Sequence, residues 1–97
     1  MIFPTDEFGG QELPEAQVCG FAESKGVPAD APGCHVMAKT EVNGPNANAV
    51  WKFAKAKFPG EVRWNFDGIF LFDKNGGVAS RHSVRAPPTI EQISAML

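Results

Sequence analysis

Residues 64–82, Trp64-Asn65-Phe66-Asp67-Gly68-Ile69-Phe70-Leu71-Phe72-Asp73-Lys74-Asn75-Gly76-Gly77-Val78-Ala79-Ser80-Arg81-His82, decide the fold. Ile69 to Phe72 is an unbroken apolar run, the pattern of a strand covered on both faces. Asp73-Lys74-Asn75-Gly76 carries a hairpin-turn signal and leads into a second strand, Val78 to His82. An indole and a carboxamide, Trp64 and Asn65, stand just ahead of this hairpin.

Working outward, Thr89 and Gln92 have capping-box spacing, and Ile90, Ile93 and Leu97 form an apolar stripe on a final helix. On the other side, Phe58-Pro59-Gly60 ends a helix predicted over Ala49 to Lys57, with Val50, Phe53, Ala54 and Lys57 at helical intervals and Asn46 or Asn48 as its cap. Asn43-Gly44-Pro45 is a turn. Val36-Met37-Ala38 is a short strand candidate, and Val27 to Gly33, with Pro28, Asp30, Pro32 and Gly33, reads as an exposed loop. Glu15 to Lys25 is a helix with Val18, Phe21 and Ala22 on one face, and Gly26 is its natural terminator. Met1 to Phe3 resembles the end of a strand, followed by a loop that Pro4 and Gly9-Gly10 keep irregular.

The order strand, helix, strand, helix, strand, strand, helix describes an α/β protein with a mixed sheet and helices flanking it. At 97 residues the chain suits a single domain, 1–97, and one this small buries only about two-thirds of its unfolded surface. A strand that opens at residue 1 and runs at once into a functional loop suggests that a strand and helix belong upstream, so the sheet is expected to be incomplete at its N-terminus.

A net charge of −2 argues against nucleic acid or an anionic membrane surface as the main partner. The longest wholly apolar run is far too short to span a bilayer, and Met1-Ile2-Phe3-Pro4 lacks the basic start of a secretory signal. Two cysteines, Cys19 and Cys34, are too few for a disulfide framework. The expected location is a reducing intracellular compartment, cytoplasm or organelle interior, and the protein is not expected to be secreted.

Phe8-Gly9-Gly10-Gln11-Glu12 supplies a second carboxamide. Gln11, Trp64 and Asn65 thus offer uncharged hydrogen-bond donors, suited to a site where negative charge is stabilised on sulfur or oxygen. Singly, Gln11 reads as a solvated turn amide, Asn65 as a loop cap, and Trp64 and Trp51 as half-buried aromatics, a reading kept for Trp51. Cys19, Cys34, His35 and His82 make a nominal four-ligand set, but their spacing fits no finger or ribbon, so no metal is expected.

In series, these segments resemble the glutathione peroxidases, most closely the short-looped phospholipid-hydroperoxide and plant-type members. Phe3-Pro4 with Phe8-Gly9-Gly10-Gln11-Glu12 is similar to the family's second signature. Lys39 with Val42-Asn43-Gly44 is similar to its Lys-containing segment, and Asn46-Ala47 precedes the expected helix. Trp64-Asn65-Phe66, Phe70-Leu71 and Asp73-Lys74-Asn75-Gly76 resemble its Trp-Asn-Phe block, and Arg81 its usual Arg after the hairpin. Pro88 with Ile90-Glu91 and the closing Leu97 look like its terminal helix.

The resemblance implies a thioredoxin-like fold and antioxidant thiol or selenol peroxidase chemistry: hydrogen peroxide or organic and lipid hydroperoxides are reduced, with glutathione or thioredoxin as reducing co-substrate and no bound cofactor. It makes Gln11, Trp64 and Asn65 the catalytic donors. The family's peroxidatic Cys or selenocysteine lies on a unit preceding the segment matched here, so this chain is expected to be the part without the nucleophile and inactive alone. Cys19 reads as a buried helical packing residue. Cys34 is the candidate resolving thiol, although its register does not match the family's.

Thr5-Asp6-Glu7 replaces a Cys and two amides of the family pattern, and two carboxylates facing a thiolate would raise its pKa. Asp67-Gly68-Ile69 adds about one residue before the strand, which a bulge could absorb. Lys52, Lys55, Lys57 and Arg63 form a solvated basic face, or, as related enzymes imply, a surface guiding glutathione or anionic lipid. The alternative from another class is an inactive peroxidase-like binding or structural subunit, and a protein partner covering the incomplete sheet is expected in either case.

Overall fold

The computed structural model describes residues 1–8, 14–28, 30–64 and 67–96, with the backbone alone described at Glu15, Asp30 and Ala31. The chain divides into two compact units, Met1–Val42 and Asn43–Leu97.

In the first unit, helix α1 (Glu15–Ser24) ends as its sequence demands. Gly26 sits at φ 81°, and the amides of Gly26 and Val27 reach back to the carbonyls of Glu23 and Ala22 at 3.0 and 2.9 Å. These paired bonds satisfy the last carbonyls of the helix and need a left-handed residue that glycine adopts without a Cβ penalty. The apolar face is not buried: Phe21 is 54% exposed. Cys19 is exposed as well, which corrects its reading as a buried packing residue. Helical spacing puts Cys19 beside that face without saying whether anything covers it.

The expected loop from Val27 to Gly33 contains a strand. β1 (Asp30–Ala31) pairs antiparallel with β2 (Cys34–His35) around Pro32-Gly33, with Gly33 at φ 82°. Fixed φ at Pro followed by a permissive Gly makes this tight reversal inexpensive. Val36, expected inside a strand, forms instead an isolated parallel bridge with Ile2. Ile2 N–H donates to the His35 carbonyl and Met37 N–H to the Ile2 carbonyl, both at 2.8 Å, and Thr40 N–H donates to the Pro4 carbonyl at 3.0 Å. The N-terminal segment is therefore held alongside residues 35–40.

In the second unit, helix α2 (Ala49–Lys57) is capped by Asn48, whose side chain accepts from Val50 N–H at 2.9 Å. Asn48 rather than Asn46 fills the position. β3 (Ile69–Phe72) and β4 (Val78–His82) form the expected antiparallel hairpin. Asp73 Oδ1 closes its turn by accepting from Asn75 and Gly77 N–H at 2.8 and 2.9 Å, and Gly76 takes φ 86°. A bulge falls where Leu71 pairs with Ser80 and Phe72 with Val78. It leaves Ala79 as the extra residue of β4, so the irregularity comes later than Asp67-Gly68-Ile69, where the sequence suggested one.

The apolar run is a strand but not a fully covered one. No residue of β3 is buried, and Phe72 is 37% exposed. The strand pairs only with β4 among the described residues, and β-propensity and apolarity alone do not reveal how much of the sheet is covered. Helix α3 (Ile90–Ser94) has the complete capping box: Thr89 N–H donates to Gln92 Oε1 at 2.8 Å and Gln92 N–H to Thr89 Oγ1 at 3.1 Å. Its stripe faces solvent, with Ile90 at 80% and Ile93 at 42% exposure, and Leu97 lies outside the described residues. Among the described residues of this unit, Ala47, Ala54, Val62 and Val78 are the buried apolar ones.

Candidate active site

Of the three expected donors, Trp64 is described and Gln11 and Asn65 lie outside the described residues. Trp64 is 55% exposed, so its ring is accessible to solvent and to a reacting group. Val62, two residues before it, and Gly68, four residues after it, pack against the body of the unit.

On the N-terminal side, the Asn43 carboxamide grips the backbone of Val62. Its Nδ2 donates to the Val62 carbonyl at 2.7 Å, and its Oδ1 accepts from Val62 N–H at 2.8 Å and from Lys55 Nζ at 3.3 Å. Lys55 also lies 3.5 Å from Glu61 Oε1, with only 12% of its side chain exposed. The basic helix face is therefore not uniformly solvated: Lys55 turns inward, while Lys52 and Lys57 are exposed and Lys57 Nζ stands 5.8 Å from the Phe58 ring centroid.

Arg81 of β4 gathers the turn that follows α2. Its Nη1 donates to the carbonyls of Phe58, Pro59 and Gly60 at 3.0, 3.1 and 2.9 Å, and Nη2 to that of Glu61 at 3.4 Å. The guanidinium carbon stands 5.2 Å from the centroid of Phe70. A fixed, always-charged fork suits a cluster of carbonyls converging in the turn just past a helix end, and it adds a cation–π contact. Beside this turn opens a cleft of about 530 Å³ bordered by Glu61, Arg63, Asp67, Arg81 and His82. His82, at the border of the cleft, shares a hydrogen bond of 2.7 Å between its Nε2 and Ser80 Oγ.

On the C-terminal side, Gly68 lies against Trp51 and Val62. A Cβ at Gly68 would fall 2.8 Å from both Trp51 Cζ3 and Val62 Cγ2. Trp51 meets Phe70 edge-on, centroids 5.5 Å apart, and so acts as a packing residue as its sequence suggested. Asp67 N–H also closes a turn onto the Trp64 carbonyl at 3.1 Å.

In the first unit, the two carboxylates that replace family amides have partners of their own. Asp6 pairs with Lys39 at 2.9 Å. Glu7 Oε2 accepts from Thr5 Oγ1 at 3.0 Å and from Val42 N–H at 2.7 Å, next to the buried Thr5. Cys34 is half-buried on β2. Among the described residues, no group of three or more His, Cys, Asp or Glu is placed to hold a metal ion, and no helix is long and apolar enough to cross a membrane.

Sequence reasoning missed the pins at Asn43 and Gly68. Asn43 read as a turn residue and as part of the family-like Val42-Asn43-Gly44 segment, and Gly68 as part of an insertion, and no periodicity marks either role.

The helices and small antiparallel strand pairs make a partial α/β arrangement consistent with a thioredoxin-like fold, the type that the relatives below imply. Comparison with known proteins gives the family. The chain is 39% identical over 90 residues to a glutathione peroxidase-like peroxiredoxin, GPX5, of Chlamydomonas reinhardtii, covering 89% of this chain and 53% of that protein. It is 34% identical over 92 residues to a probable phospholipid hydroperoxide glutathione peroxidase of Nicotiana sylvestris, covering 91% and 52%. With a hydroperoxy fatty acid reductase of Synechocystis it shares 35% identity over 98 residues, covering 89% and 54%. No family model matches the chain. The chain belongs to the glutathione peroxidase family, and it spans about half the length of the curated relatives it matches.

Proposed function

We propose that this chain provides the donor side of a glutathione-peroxidase-type site, in which Gln11, Trp64 and Asn65 stabilise a thiolate or selenolate and the alkoxide released as the O–O bond of a hydroperoxide breaks. The observation that carries the reading is the similarity to hydroperoxide-reducing relatives over 89–91% of the chain. Trp64 supports it: the residue is 55% exposed, and two positions before it the Val62 backbone is gripped on both sides by Asn43.

In this reading residues 1–97 belong to one domain and the substrates are hydrogen peroxide or organic and lipid hydroperoxides. Glutathione or thioredoxin is the reductant, and the compartment is intracellular. The nucleophile is neither Cys19 nor Cys34, and the family's catalytic strand and helix lie outside the matched segment. Cys34, half-buried on β2, serves as a resolving thiol when a peroxidatic residue is supplied.

A catalytically silent binding or structural subunit is the second reading. It is favoured by the exposed apolar side chains Phe21, Phe53, Phe72 and Ile90, which suit a covering protein partner.

Peroxide consumption by the 97-residue chain, measured with glutathione and with thioredoxin as reductant, separates these ideas. Little or no turnover is expected. Robust turnover that disappears in Cys34→Ser or Cys19→Ser would overturn the assignment of the nucleophile. Translating the nucleotide sequence upstream of residue 1 tests the rest, because a strand, a Gly-rich turn and a Cys or in-frame selenocysteine codon are expected there.

A further inference from the structure

We propose that Asn43 is a positioning residue for the Trp64 donor, holding both backbone groups of Val62 and so fixing the direction of the chain as it enters the loop that carries the indole. This rests on the reading of Trp64 as a site residue given above.

Val62 is buried, 5% exposed, and lies outside every strand. A buried peptide group with no ladder partner needs its N–H and C=O satisfied by something else. A primary carboxamide is suited to this, since it presents a donor and an acceptor side by side as a peptide does. Three neighbours agree on which way the amide faces: Val62 N–H and Lys55 Nζ both require an acceptor at Oδ1, and the Val62 carbonyl requires a donor at Nδ2. A strand pairing is thus replaced by one side chain, and the loop leaves its anchor two residues before Trp64. Its far end is set by Gly68 against Trp51 and against Val62 itself, so both ends bear on the residue that Asn43 holds. Releasing Asn43 frees the near end and loosens the far one.

The test uses the 97-residue chain labelled with 15N, which yields one indole N–H resonance each from Trp51 and Trp64; the Trp64 signal is identified by its loss in Trp64→Phe. In Asn43→Ala, amide exchange at Val62 should accelerate about tenfold or more. The Trp64 indole resonance should shift or broaden, while Ser80 and Arg81 in the hairpin keep wild-type exchange after correction for any change in global stability. Asn43→Asp keeps an acceptor for Val62 N–H and loses the donor, and should fall between the two. If the alanine variant does not fold, the aspartate variant decides alone. An unmoved Trp64 indole in the folded variants would overturn the proposal, as would uniform acceleration at every amide. None of these readouts needs peroxide turnover, so a failed peroxidase assay and a failed positioning test are distinguishable.

Discussion

Gly68→Ala places a methyl group where the structure leaves no room for one. The new Cβ would lie 2.8 Å from Trp51 Cζ3, 2.8 Å from Val62 Cγ2 and 3.1 Å from Trp51 Cη2. Neither neighbour yields easily: Trp51 is wedged edge-on against Phe70, and the Val62 backbone is tied on both sides by Asn43. Forcing extra volume into such packing costs about 1–3 kcal/mol. Against this, alanine restricts the unfolded chain and returns about 0.4–1 kcal/mol. The steric cost wins, leaving a net destabilisation of about 1–2 kcal/mol. For a domain of this size each kcal/mol moves the midpoint by about 4–8 °C. Thermal and urea unfolding followed by circular dichroism measure it. A double-mutant cycle with Trp51→Phe, which removes both offending ring atoms, should recover part of the loss and give a favourable coupling of about 0.5 kcal/mol or more. A Gly68→Ala protein as stable as the parent, or strict additivity in the cycle, would refute the reasoning.

Arg81→Met should cost about 2 kcal/mol in urea unfolding, because the carbonyls of Phe58, Pro59 and Gly60 lose a charged donor that an apolar chain of similar length does not replace. Thr89→Ala removes one half of the capping box and should lower local stability by about 1 kcal/mol, seen as faster amide exchange confined to α3. Asp73→Ala should destabilise the hairpin by about 1 kcal/mol through the lost acceptor for Asn75 and Gly77, with melting as the readout. Alkylation followed by mass spectrometry should modify exposed Cys19 before half-buried Cys34; the reverse order would contradict their placement.

What was legible in the sequence was local. The Ile69–Phe72 and Val78–His82 strands, the turn between them, α2, the C-terminus of α1 and the Thr89 box all depend on residues within a few positions of one another, and each forms where its pattern places it. The β1–β2 pair escaped notice because two-residue strands inside a Pro- and Gly-rich stretch leave no periodicity to detect. The exposure of Phe21, Phe72 and Ile90 was equally hidden, since spacing shows that a face exists and not what lies over it. The inward turn of Lys55 depends on Asn43 and Glu61 from other segments. For the candidate site, the sequence singled out Trp64, whose part as a donor is a proposal, and marked Arg81. What holds the intervening loop had no sequence signal, because a carboxamide bonded to a backbone 19 positions away looks like any turn asparagine.

The Arg81 clasp has a temporal consequence. The carbonyls it gathers lie 20–23 residues earlier in the chain. A ribosome adding about 5–20 residues per second delivers the arginine roughly one to five seconds after them. During that interval α2 can coil, yet its exit turn has no guanidinium to receive its carbonyls. Only when the hairpin folds back does the turn lock. Fragments of the chain that end short of residue 81 should therefore carry a helix with a frayed tail, and fragments that include the whole hairpin should not.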